Sequence, residues 1–118
     1  MDKQRRKELQ AQYKEIKTYM GVVQLTNTAN GKIWIGSYPN LKNKEYSIRM
    51  QLDGGRFANA ELQRDWKELG SAAFTYEVLE EQSTEDVVNK PLELRAMEAV
   101  WLEKLQPYGN RGYNREKK

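Results

Sequence analysis

The dipeptide Asn30-Gly31 lies between two stretches in which apolar residues alternate with other residues, and it constrains the fold more than any other feature. Both central residues of a type I′ turn need a positive φ, so this pair predicts a β-hairpin. We expect strands over 21–27 and 32–37, with residue 29 opposite residue 32. Side chains alternate between the faces of a strand. One face would carry Val22, Ile33 and Ile35, and the other Val23, Leu25, Asn27 and Trp34.

The rest of the chain predicts further helices and one more strand. A helix would begin at Asn40 and run to about Leu52, and a second would begin at Asn59 and end at Gly70, since Asn caps helices well and Gly ends them. The alternation of Phe74, Tyr76 and Val78 indicates a third strand, followed by a polar loop over 82–90. A last helix would run from Pro91 to Gln106. This order predicts an α+β fold, a small three-stranded antiparallel sheet flanked by helices.

The start of the chain predicts an additional amphipathic helix over 2–18. Its apolar stripe consists of Leu9, Tyr13, Ile16 and Met20. Such a stripe must pack on another surface, and we hypothesise that it covers the hairpin face that carries Trp34. The chain would then divide into a basic N-terminal helix at 1–19, a core domain at 20–114 and a basic tail at 115–118.

Composition excludes whole classes of chemistry. The 118 residues include no Cys and no His, which rules out zinc fingers, Ser–His triads and Cys–His proteases. Any metal would have to be held by oxygen atoms, which favours Mg²⁺ or Mn²⁺. No apolar run is long enough for a membrane span and no dinucleotide fingerprint occurs, so we expect a cytoplasmic protein with no membrane and no small-molecule cofactor. The oligomeric state stays open.

One carboxylate lies where an apolar residue is expected. On the last helix, Leu94, Glu98, Trp101 and Leu105 recur at helical spacing, which places Glu98 within the apolar arc. A carboxylate on a core-facing stripe is costly unless a partner satisfies it. Two explanations stay open at this point: a structural Glu with a polar partner, or a cleft residue that acts as a metal ligand or acid–base group.

The order of motifs resembles the GIY-YIG nuclease family, and its homing-endonuclease-like branch in particular. The resemblance rests on Gly21-Val22-Val23 followed by Trp34-Ile35-Gly36, and it continues through 37–42, 59–66, 74–81, 98–102 and 112–114. It covers roughly residues 21–114. The resemblance implies a nuclease that cuts phosphodiester bonds with one divalent metal, held by a glutamate on the last helix. Two tyrosines, a helix arginine and a late asparagine would complete such a site.

These implied roles fall on positions of this chain that agree with the family only in part. The glutamate matches Glu98 and the asparagine matches Asn114. The two tyrosines match Val23 and Trp34, and neither side chain can take a proton from water. The arginine matches Lys44, which keeps the charge without the bidentate geometry. Ile48 stands where the family commonly has a histidine or a tyrosine.

Three functions follow as alternatives. The first is a catalytically weakened nuclease-fold domain that binds nucleic acid, probably DNA, through the basic residues and Trp34; the contact residues would be Lys42, Lys44, Arg49 and Trp34. The second is an active endonuclease that depends on Mg²⁺ or Mn²⁺, with Glu98 as metal ligand and Lys44 and Asn114 as further catalytic residues. The third is a protein-interaction module, which the modest net charge of +3 and the acidic stretch 80–86 would allow.

Overall fold

The structure is a computed structural model that describes residues 17–115. Its main elements are β1 (Tyr19–Asn27), β2 (Ile33–Tyr38), α1 (Lys44–Asp53), α2 (Ala60–Leu69), β3 (Phe74–Ser83) and α3 (Lys90–Leu105). The strands form one antiparallel sheet in the order β2-β1-β3, and the helices flank it. The predicted α+β fold is confirmed. The predicted N-terminal helix lies outside the described residues except at its end. There, Lys17 and Thr18 are not helical, and Tyr19 and Met20 belong to β1.

The hairpin register differs from the prediction by two residues. Leu25 lies opposite Trp34, and the N–H of Asn27 donates to the carbonyl of Lys32 at 2.8 Å, which closes a loop over 28–31. Gly31 has a positive φ, but Asn30 does not, so the predicted type I′ turn is wrong. The side chain of Asn30 accepts instead from the N–H of Lys32 at 2.9 Å. Since a shift of two residues preserves the alternation of side chains, the predicted faces are confirmed.

Two apolar clusters cover the two faces of the sheet. The groove-side cluster contains Val23, Leu25, Ile48, Leu52, Leu62, Trp66, Phe74 and Tyr113. The α3-side cluster contains Met20, Val22, Ile35 and Met97, with Leu94, Trp101 and Leu105 packed against it. Helices α1 and α2 therefore supply a cover for the hairpin face that we expected the N-terminal helix to cover.

The helix boundaries follow local hydrogen bonds. Helix α1 begins at Lys44, later than predicted, because the side chain of Asn40 accepts from the N–H of Lys42 at 3.0 Å and forms a turn there. The predicted cap Asn59 is confirmed, because its side chain accepts from the N–H of Leu62 at 3.0 Å. Helix α3 has a cap that was not predicted: the side chain of Asn89 accepts from the N–H of Leu92 at 3.1 Å. Strand β3 extends to Ser83, so the predicted polar loop is shorter.

The segment after α3 returns to the free edge of β2. Gly112 bridges in parallel to Ile33, whose carbonyl accepts from the N–H of Tyr113 at 2.9 Å. A side chain at Gly112 would overlap the backbone of Ile33 and Pro107, so this close approach needs glycine. The contact covers part of the edge strand, which limits unwanted strand pairing. Among residues 17–115, no helix combines the length and apolarity that crossing a membrane requires.

Candidate functional site

Glu98 lies half-buried on the side of α3 that faces the sheet, next to the edge strand β2. Its Oε2 atom accepts a hydrogen bond from the hydroxyl of Ser37. That hydroxyl satisfies one carboxylate oxygen, whereas Oε1 accepts no hydrogen bond from the described residues. Helical periodicity thus located the carboxylate correctly, and one of its oxygens is left for another ligand.

Asn114 acts as a clamp on the edge of β2. Its Oδ1 accepts from the N–H of Ile35 at 2.9 Å, and its Nδ2 donates to the carbonyl of Ile35 at 2.8 Å. The amide therefore pairs with the strand as a neighbouring strand would. Its two polar atoms are used by this pairing, and the residue fixes the strand that carries Ser37 and Trp34.

The two tyrosine-matching positions have become apolar. Val23 is fully buried in the groove-side cluster, and its partner across the hairpin is Gly36. The indole of Trp34 lies over Gly36, where any Cβ would overlap it, and its ring meets Phe57 edge-on at a centroid distance of 5.1 Å. The indole N–H of Trp34 donates to no described residue, in contrast to the indoles of Trp66 and Trp101.

Gly21, the first residue of the first tripeptide, is required by strand spacing. A Cβ at this position would overlap the carbonyl of Glu80 on β3, beside the irregularity in the β1–β3 pairing between Val22 and Val23. This position therefore demands a residue without a side chain.

Tyr38 connects the cationic and anionic parts of the site. The ammonium of Lys44 lies over its ring, 4.4 Å from the centroid. Burial raises the pKa of the Tyr38 hydroxyl to about 12, and the neighbouring Tyr76 and the charge of Glu98 add to the rise. Tyr38 therefore stays protonated at neutral pH, and Lys44 and Glu98 both lie near it.

An open groove of about 590 Å³ follows this face. Its lining includes Trp34, Tyr38, Phe57, Asn59, Tyr113, Asn114 and Arg115. A second pocket of about 390 Å³ adjoins Glu98 and shares Asn114 and Arg115 with the groove. Arg115 is exposed, makes no ion pair within residues 17–115 and lines both cavities.

The remaining predicted contact residues differ in availability. Lys42 is exposed and makes no ion pair with the described part of the chain. Arg49 is engaged: it pairs with Glu45 at 3.1 Å and donates to the carbonyls of Ser71 and Phe74. Its guanidinium thus ties α1 to the start of β3, and its predicted contact with nucleic acid stays a prediction.

The one free carboxylate oxygen of Glu98 fits a divalent ion whose other ligands are water molecules and a substrate phosphate. Within residues 17–115, no cluster of three or more carboxylates could hold a metal. Mg²⁺ commonly uses one or two carboxylates together with substrate phosphate and water. The free Oε1 of Glu98 meets that requirement. When bound, such an ion would stabilise negative charge on a phosphate.

Three groups of the site were missed in the sequence. Ser37 and Tyr38 directly follow Gly36, and strand alternation alone would have placed Tyr38 on the face of Trp34. Arg115 had been grouped with the basic tail. A buried network also joins the Tyr113 hydroxyl to Asp65 at 2.7 Å and to Asn27 at 3.0 Å. No local pattern announces this network, because its members lie far apart in the chain.

Comparison with known proteins gives relatives in structure only. No protein-family model matches the chain, and no curated protein sequence matches it. The catalytic domain of the homing endonuclease I-TevI superposes with a TM-score of 0.65 and 26% identity, covering 83% of this chain and 99% of that one. A Glu-to-Ala mutant of the same catalytic domain superposes with a TM-score of 0.67 and 25% identity, covering 81% of this chain and 92% of that one.

I-TevI is a GIY-YIG nuclease, so the resemblance seen in the order of motifs is confirmed by the three-dimensional structure. The similarity spans nearly the whole of the neighbouring domain. The chain has the fold of a GIY-YIG nuclease catalytic domain.

Proposed function

We propose that this domain binds nucleic acid, with DNA as its ligand, in the groove between Trp34 and Arg115, and that its capacity to cut phosphodiester bonds is weakened. The observation that carries the proposal is the set of unpaired donors along the groove. They are the indole N–H of Trp34 and the guanidinium of Arg115, with the ammonium of Lys44 over the ring of Tyr38. Phosphate oxygens accept hydrogen bonds from N–H donors of all three kinds.

The charges along the groove favour an anionic ligand. The carboxylate of Glu61, which also lines the groove, is neutralised by Lys32 at 2.6 Å. Arg115 lines the groove, and Lys44 lies over the ring of Tyr38, which also lines it. Lys42 is exposed and lies outside the lining. None of the three cations has a carboxylate partner among the described residues. The structural neighbour is the catalytic domain of a homing endonuclease, which supports DNA as the nucleic acid.

The groove lacks what cleavage would need most. Val23 is buried and apolar, and Trp34 donates but does not accept a proton. A missing general base or charge-stabilising contact typically slows an enzyme by about 10²–10⁴-fold. The carboxylate of Glu98 and the cation of Lys44 support binding and orientation of a phosphate, while the activation of water has no evident agent on this face.

A fluorescence-anisotropy titration with a labelled DNA duplex tests binding. If three cations contact phosphates, the logarithm of the binding constant should fall with the logarithm of salt concentration with a slope of roughly −3. The variant Lys42→Gln/Lys44→Gln/Arg115→Gln should lose most of that slope. The charge-matched control Lys67→Gln/Lys90→Gln/Arg95→Gln removes three cations outside the groove lining and should bind nearly as the parent does.

Two results would reject this proposal. One is no binding even at about 50 mM salt, where phosphate contacts are strong. The other is equal loss in the groove variant and in the charge-matched control, which would indicate a diffuse attraction rather than a groove.

A second function, an active endonuclease, is favoured by one observation: the free Oε1 of Glu98 beside a pocket of about 390 Å³. Supercoiled plasmid with Mg²⁺ or Mn²⁺ is the direct assay. Nicking that disappears in Glu98→Ala and persists in Glu103→Ala, a second glutamate of the same pocket, would support this function over the weakened one. Equal nicking by both variants would point to a contaminating nuclease.

A further inference from the structure

Tyr38 carries a phenolic hydroxyl into the groove at a place where the tyrosine-matching positions do not supply one. Strand alternation puts it on the face of Trp34 and Gly36, and both Trp34 and Tyr38 line the groove. Tyr76 on β3 lies on the same face, since it is opposite Leu25. The hydroxyl of Tyr38 makes no hydrogen bond with residues 17–115.

The surroundings of this hydroxyl match a phosphate better than they match the interior of a protein. Lys44 holds a positive charge 4.4 Å from the ring centroid. The nearby carboxylate of Glu98 accepts on Oε2 from the hydroxyl of Ser37 and makes no hydrogen bond with Tyr38. Tyr38 lines the groove, and its partnerless hydroxyl is not sealed from solvent. A phosphate oxygen bound in the groove would therefore satisfy it.

We propose that Tyr38 is a phosphate-contacting residue of this domain: its O–H donates to a non-bridging oxygen of the bound nucleic acid, in place of the hydroxyls absent at positions 23 and 34. This inference rests on the proposed function, because it needs nucleic acid in the groove. The family motif assigns no role to the position of Tyr38. The inference also places Lys44 next to the phosphate that Tyr38 contacts.

The hydroxyl and the ammonium should contribute in distinguishable ways. A neutral donor adds a hydrogen bond without releasing a counterion, whereas a lysine that contacts a phosphate adds about one unit to the salt slope. Loss of the Tyr38 hydroxyl should therefore weaken binding at every salt concentration and leave the slope unchanged. Loss of the Lys44 charge should reduce the slope.

The test compares Tyr38→Phe with Tyr46→Phe in the full chain, by anisotropy titration of the same duplex over a salt series. Tyr38→Phe retains the ring under Lys44 and removes only the oxygen. Tyr46 is an exposed tyrosine of α1 that lines neither cavity, so it is a matched control. We expect Tyr38→Phe to bind about 10-fold more weakly with an unchanged salt slope, and Tyr46→Phe to bind within about 2-fold of the parent.

The outcomes separate this inference from the function on which it rests. If the parent chain binds and Tyr38→Phe binds equally well, the inference is wrong and the proposed function stands. If Tyr38→Phe loses affinity together with about one unit of salt slope, the substitution has displaced Lys44, and the hydroxyl is not the contact. If the parent chain itself does not bind, both fail. A thermal melt of each variant, matched to the parent, ensures that the comparison concerns folded protein.

Discussion

The two faces of the sheet differ in the polar groups that they carry. On the α3 side, a carboxylate interrupts an apolar surface and is held by Ser37, with one oxygen left free. On the groove side, the positions that carry tyrosines in the family are a buried valine and an indole packed on glycine. A carboxylate with one free oxygen lies on one face, whereas the tyrosine-matching positions of the other face carry no hydroxyl. This contrast supports the proposal of a domain that binds nucleic acid and cuts it slowly.

The largest expected effect concerns Ile48, which is fully buried in the groove-side cluster. If the groove side has become a packed core, Ile48→Ala should lower the free energy of unfolding by about 2–5 kcal/mol, through lost burial and the cavity left behind. Urea denaturation measures this. A loss below about 1 kcal/mol would mean that this face is loosely packed. That result would contradict the description of the groove side as a packed core.

A substitution that places a tyrosine hydroxyl at position 23 should also lower the stability of the fold. Val23 is fully buried, so Val23→Tyr forces a larger side chain against Ile48 and Leu52 and should destabilise the fold by about 1–3 kcal/mol. Trp34→Tyr, at a half-buried position, is the matched comparison and should be tolerated better. A Val23→Tyr variant as stable as the parent would contradict the packing described for this face.

Asn114 tests how firmly the edge strand β2 is held between the two faces. Asn114→Ala removes both hydrogen bonds to Ile35, and one net hydrogen bond is worth about 1 kcal/mol, so we expect about 1–2 kcal/mol of lost stability. Amide hydrogen exchange at Ile35 should speed up in the variant. Unchanged exchange at Ile35 would show that Asn114 does not clamp the strand.

Much of the fold could be predicted because it depends on local patterns. Alternation located the strand faces, and helical spacing located Glu98 within an apolar arc. The hairpin register could not be predicted, since side-chain hydrogen bonds of Asn27 and Asn30 stabilise a loop longer than the dipeptide indicates. The clamp by Asn114 joins residues 79 apart in the chain, and such contacts leave no periodic signal.

Tyr113 should make the stability of the fold depend on pH, by a smaller amount and only at alkaline pH. Burial raises the pKa of its hydroxyl to about 12, from the ordinary 10.0, and Asp65 adds to the rise. The folded state holds this proton more tightly than the unfolded chain does. The corresponding stability is therefore intact below about pH 10 and is lost as the pH rises toward 12.

Denaturation midpoints across that range should fall with pH, and the fall should be shallower in Tyr113→Phe at every point. Tyr38 has a similarly raised pKa and contributes a second component, which Tyr38→Phe removes. A pH profile that is the same in the parent and in Tyr113→Phe would contradict the role of the network with Asp65 and Asn27.

The most direct test of a nucleic-acid groove uses the three indole N–H signals of the chain in a ¹⁵N–¹H correlation spectrum. Trp34 lines the groove with a free indole N–H, whereas Trp66 donates to Asp53 at 2.9 Å and Trp101 donates to Glu80 at 2.8 Å. We predict that titration with duplex DNA moves the Trp34 indole signal and leaves the other two in place. Movement of the Trp101 or Trp66 signal while that of Trp34 stays fixed, or no movement of any signal, would contradict it.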